Sequence, residues 1–75
     1  MANLTPAERA AARTALRVDR TDTAQRIQRA RQRVSQLHQA GDDRRSLRYA
    51  WQMVILLDKL DRIESELAAS LDRRP

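Results

Sequence analysis

Apolar and polar positions repeat with a helical period along nearly the whole 75-residue chain. In the first half, Leu16, Thr23, Ile27, Ala30, Val34 and Leu37 follow one another at steps of seven, four, three, four and three. In the second half, Tyr49, Met53, Leu56, Leu60, Ile63, Leu67 and Leu71 step by four, three, four, three, four and four. Each series draws one apolar stripe along one side of an α-helix, in the heptad manner. The two stripes meet along their length if the chain folds back between them. The pattern therefore predicts an all-α fold based on an antiparallel helical hairpin, with Leu37 near Leu47, Ile27 near Leu57 and Leu16 near Leu67. At ~1.5 Å per residue each arm is roughly 45–50 Å long.

The few helix-breaking residues set the boundaries. Thr5-Pro6-Ala7-Glu8 is a capping box with proline at the first helical position: the Thr hydroxyl accepts from the free N–H of Glu8, whose carboxylate reaches back. Gly41, the only glycine, suits a left-handed C-terminal cap, and Asp42 or Asp43 can cap the start of a second helix. One helical domain over 1–75 follows, with helix 6–40, turn 41–43, helix 44–72 and Pro75 at the end. Val18-Asp19-Arg20-Thr21-Asp22-Thr23 is the weak stretch, because its Asp and Thr side chains compete with the helix for backbone hydrogen bonds. Asp22 and Gln25 even form a second capping-box pattern, so residues 6–40 read either as one helix of thirty-five residues or as a short helix and a long one, three helices in all. A break or bend near 19–22 is the preferred of the two.

The second helix is more apolar than one stripe requires. Leu47, Trp51, Val54 and Ile55 fall on the side opposite its main stripe, at i, i+4, i+7 and i+8, the spacing of a helix face that fits a groove. Two readings compete for this face. Residues 6–18 can fold back over it as a third helix, bringing Leu4, Ala7, Ala11, Ala15 and Val18, although alanines cover little area. Alternatively the face meets another chain, as exposed apolar clusters usually do. The second reading is preferred, with a homodimer forming a helical bundle as its default form and Trp51 as its anchor.

Charge adds an asymmetry. The net charge is +5 and the sequence pI is near 11.2. Residues 1–40 hold eight Arg against Glu8, Asp19 and Asp22, whereas basic and acidic groups balance in residues 41–75. Part of this surplus can face acids across the hairpin, with Arg20 near Glu64, Arg26 near Asp58 and Arg17 near Glu66. The rest makes a basic footprint of the kind that meets DNA or RNA. Arg26, Arg29 and Arg33 share one flank and Arg9, Arg13, Arg20 and Arg31 the other; these are the candidate phosphate contacts. Arg26-Ile27-Gln28-Arg29-Ala30-Arg31-Gln32-Arg33-Val34 resembles the end of the recognition helix in sigma-factor region 4. The likeness spans those nine residues alone. The helix and glycine-containing turn that precede them in that family have no counterpart here, and no DNA-contacting role is carried over.

Composition narrows the chemistry further. The absence of Cys excludes a disulfide scaffold and a Cys-ligated zinc module, and one glycine cannot make a Gly-rich phosphate loop. The longest apolar run, Met53 to Leu57, is five residues, far short of the ~20 needed to cross a bilayer. With no hydrophobic signal core at the N-terminus, a cytoplasmic protein without membrane contact is expected. The lone His38 has no second His, Cys or adjacent carboxylate and reads as a surface residue near a helix C-terminus. Asp58, Asp61 and Glu64 read as a solvated edge facing the Arg-rich arm. No cofactor, metal or catalytic role is expected. The sequence reads as a non-enzymatic accessory or regulatory protein of a bacterial or phage type that self-associates and docks on a larger protein assembly. The alternative is a nucleic-acid-binding regulator that lays the first arm on phosphate backbones.

Overall fold

The computed structural model describes residues 4–72 as two antiparallel helices, α1 (Pro6–Gln39) and α2 (Asp43–Asp72), in a rod whose principal extents are 55 × 18 × 16 Å. The start of α1 follows from its cap. Thr5 is extended and its Oγ1 accepts from the Glu8 N–H at 3.1 Å, while the Thr5 hydroxyl donates to Glu8 Oε1 at 3.0 Å. The Glu8 carboxylate thus reaches back to the hydroxyl. Pro6, at the first helical position, gives up an N–H that had no helical partner anyway.

The turn is a Schellman motif. Gly41 takes φ +79, its N–H donates to the His38 carbonyl at 3.0 Å, and the Asp42 N–H donates to the Leu37 carbonyl at 2.8 Å. Asp42 then caps α2, its Oδ1 accepting from the Arg45 N–H at 3.2 Å. One helix stops and the next begins within three residues, Ala40 to Asp42.

The expected break at 19–22 does not occur: α1 is one continuous helix and the described residues contain no third one. The side chains expected to disrupt it are accommodated within the helix. The Thr21 hydroxyl donates to the Arg17 carbonyl at 3.1 Å, as Thr14 does to Ala10. Asp22 pairs with Arg26 one turn on, at 3.1 Å. Thr23 points at α2 and is fully buried.

The stripes meet as their spacing predicts. Thr23 and Ala30 are buried and Leu16, Ile27, Val34 and Leu37 half-buried on α1; Ile63 and Leu67 are buried and Tyr49, Met53, Leu56 and Leu60 half-buried on α2. The Leu71 side chain and Pro75 lie outside the described residues. Register departs from expectation. Ser46 Oγ donates to the Val34 carbonyl at 3.3 Å, Arg33 lies 5.9 Å from the Tyr49 ring centre, and Lys59 Nζ is 3.2 Å from Asp19 Oδ1. Each α1 position therefore meets α2 closer to the turn than expected, by about one helical turn. The cause is the cap. The tightest part of the turn is Ala40-Gly41, upstream of the expected centre at Asp42. Leu47 and Leu57, which lie off the main stripe of α2, are exposed and do not serve as the core partners of Leu37 and Ile27. The expected ion pairs of Arg17 with Glu66, Arg20 with Glu64 and Arg26 with Asp58 are absent among the described residues; Arg26 holds Asp22, and Asp58 holds Arg62 at 2.9 Å.

Candidate functional site

The α2 helix positions Leu47, Trp51 and Val54 on the side turned away from α1, with Ile55 at the border of that side, next to the Arg-rich flank of α1. All four are exposed, between 55 and 66% of their surface, with Trp51 at 62%. The reason lies in α1. Residues 6–18 continue straight as its first turns, so they do not fold back over this face, and Val18 is itself exposed. Leu57, expected near Ile27 across the hairpin, is also exposed and widens the apolar surface. Its position three residues beyond Val54 was the available signal.

This face has charged ends. Toward the turn it is bounded by Arg44 and Arg48, and toward the C-terminus by Asp58, Asp61 and Arg62. Asp58 is held by Arg62 within the helix. Arg44, Arg48 and Asp61 have no ion partner among the described residues.

The Arg-rich flanks separate into two cases. Arg26, Arg29 and Arg33 come together beside Ala30, Tyr49, Gln52, Ile55 and Leu56, around an open groove of about 530 Å³. Arg33 lies over the Tyr49 ring, which holds its guanidinium at the groove. Sequence alone missed Tyr49 and Gln52 here, because a cross-helix neighbour depends on register. Arg9, Arg13, Arg20 and Arg31 are not gathered: they are strung over about 33 Å of helix. Arg9 Nε donates to the Leu4 carbonyl at 3.3 Å, Arg13 is half-buried, and Arg20 borders a separate depression with Leu60 and Glu64.

The turn also brings His38 Nδ1 within 3.5 Å of Asp43 Oδ1, supplying the nearby carboxylate that the sequence reading had not placed. Both side chains are largely in solvent. No cluster of three His, Cys, Asp or Glu suited to a metal ion occurs among the described residues, and no described helix is long and apolar enough to cross a membrane. Comparison with known protein families, curated proteins and solved structures finds no match to this chain.

Proposed function

We propose that the chain is a non-enzymatic helical interaction protein that self-associates through Leu47, Trp51, Val54 and Ile55 and serves as an accessory regulator of a larger protein assembly. The observation that carries this reading is the exposure of four large apolar side chains on one face, in a chain whose described core has only three buried apolar residues, Ala30, Ile63 and Leu67. Covering such a face removes apolar area from water at roughly 25 cal/mol per Å², and a second chain is the available cover. Trp51 is the expected anchor, since aromatic side chains supply most of the energy where they become buried in an interface. Light scattering across a concentration series tests the reading, together with Trp51 fluorescence. A dimer with a water-shielded indole is the expected result. A monomer at all concentrations, or an indole still in water in the dimer, overturns it.

A second reading rests on the groove of Arg26, Arg29 and Arg33. Arg29 and Arg33 lack a carboxylate partner among the described residues, and three guanidinium groups along one flank suit a phosphate backbone. That reading requires affinity for DNA or RNA that falls steeply with salt, each neutralised phosphate contributing about −0.9 to the slope of log K against log salt on duplex DNA. Replacing the three Arg by Gln should flatten that slope by about 3 while leaving the helix intact.

A further inference from the structure

We infer that the groove beside Arg26, Arg29 and Arg33 seats a third helix, supplied by the larger assembly, with an apolar stripe and acids along the flank that meets α1. This rests on the docking half of the proposed function and not on self-association through Trp51.

An antiparallel helix pair leaves a groove on each side of its seam, and a third helix packs along such a groove. The two grooves of this hairpin differ. One is bordered by Thr21, Gln25 and Gln28 and mixes Arg20 with Glu64 around Leu60. The other has an apolar floor of Ala30, Tyr49 and Leu56, with the three Arg along its α1 wall and Gln52 and Ile55 along its α2 wall. Arg26 to Arg33, like Tyr49 to Leu56, is seven steps along a helix, about 10 Å or two turns. A helix laid there sets side chains at i, i+3, i+4 and i+7 on the floor. It also covers Ile55, which is 66% exposed.

Charge fixes the sign of the partner. Asp22 holds Arg26, whereas Arg29 and Arg33 have no carboxylate partner among the described residues. Along α2 the flanking charges are also basic, Arg45 and Arg48 toward the turn and Lys59 beyond Ile55. The acids nearest the groove are each held by a base: Asp19 by Lys59, Asp22 by Arg26, Asp42 by Arg45 and Asp58 by Arg62. A carboxylate from outside therefore meets Arg29 and Arg33 without displacing one from within, and a guanidinium can hold it through two parallel hydrogen bonds. The floor decides between occupants. A phosphate backbone satisfies the guanidinium groups and leaves Ile55 uncovered; an amphipathic helix serves both. A second copy fits poorly, because its exposed Leu47 and Trp51 are flanked by Arg44 and Arg48.

The test uses the full chain and a fluorescent synthetic helix of about three heptads. The peptide carries leucine along one stripe, glutamate along one flank of that stripe and glutamine along the other. Two control peptides replace the glutamates by lysine or the leucines by serine. In fluorescence anisotropy the leucine–glutamate peptide should bind, and each control should bind about tenfold more weakly or worse. Arg29→Gln with Arg33→Gln should weaken binding by about tenfold or more. Arg20→Gln with Arg31→Gln removes the same charge from the other flank and should change it by less than about twofold. Equal binding of the serine peptide, or equal binding after Arg29 and Arg33 are replaced, overturns the inference, as does no binding. Duplex DNA that binds more tightly than the peptide at physiological ionic strength makes phosphate the occupant and also overturns it. Light scattering of the same samples keeps the two proposals apart. A dimer that ignores the peptide overturns the inference alone, whereas a monomer that binds it through Arg29 and Arg33 supports the inference and overturns self-association.

Discussion

The two faces of α2 carry similar side chains and end in different surroundings. The inner face presents Met53, Leu56, Leu60, Ile63 and Leu67, all half-buried or buried against α1; the outer face presents Leu47, Trp51, Val54 and Ile55, all exposed. Intrinsic hydrophobicity does not separate them. What separates them is that α1 is one straight helix and has a single side to offer. Even that side is sparsely apolar, since its two buried residues are Thr23 and Ala30. The hairpin therefore closes one stripe of α2 and leaves the other exposed.

The comparison breaks most readily at Ile63. Replacing it by Ala removes a buried side chain from a thin core and should destabilise the hairpin by about 2–5 kcal/mol. Thermal unfolding followed by circular dichroism will show a large drop in midpoint or no folded baseline. If the melting curve is unmoved, the inner face is not the core. The matching change on the outer face, Trp51→Ala, should weaken association by about 2–4 kcal/mol, read as the shift of the dimer midpoint in a dilution series. Helix content should fall much less, because Ala favours the helix over Trp. Equal loss of helix and of association would show that the two faces do not have separate roles.

Thr23→Val sharpens the inner face. The Thr23 hydroxyl is fully buried and has no hydrogen-bond partner, unlike those of Thr14 and Thr21. Valine keeps the shape and removes the unsatisfied oxygen, so stability should rise by about 1–3 kcal/mol in urea or thermal unfolding. A loss of stability would mean that the hydroxyl is satisfied in solution. The smallest effect belongs to the ion pair between Asp19 and Lys59 at the border of the inner face. Both side chains remain about half exposed, so Lys59→Gln should change stability by about 0–1 kcal/mol, and less at high salt. A larger loss would make this pair, rather than the apolar seam, the main determinant of the hairpin.

Sequence periodicity sufficed for the seam residues because a helix fixes which side chains share a side whatever lies opposite. It sufficed for the exposed patch for the same reason: the angle between Trp51 and Leu60 around α2 does not depend on α1. It failed at 19–22, where local preferences of Asp and Thr pointed to a break. Those preferences are worth tenths of a kcal/mol per residue, and a continuous seam from Leu16 to Leu37 outweighs them. It also failed on the neighbours of the Arg flank. Arg33 over Tyr49 and Lys59 beside Asp19 are relations between helices, and a shift of one turn changes every such relation while leaving each stripe intact.

Thus the chain by itself determined an all-helical hairpin, the cap at Thr5, a second helix starting at Asp42 or Asp43, the left-handed Gly41, the apolar stripes and the face of α2 that carries Trp51. These are set by bonds and angles within a few residues. The tertiary structure alone decided the register, the continuity of α1 and the meeting of Arg26, Arg29 and Arg33 with Tyr49 and Ile55 in one groove. The continuity of α1 depends on the seam it shares with α2. The register and the neighbours in the groove depend instead on where the turn is tightest, since a hairpin passes the position of its cap on to every contact between its arms.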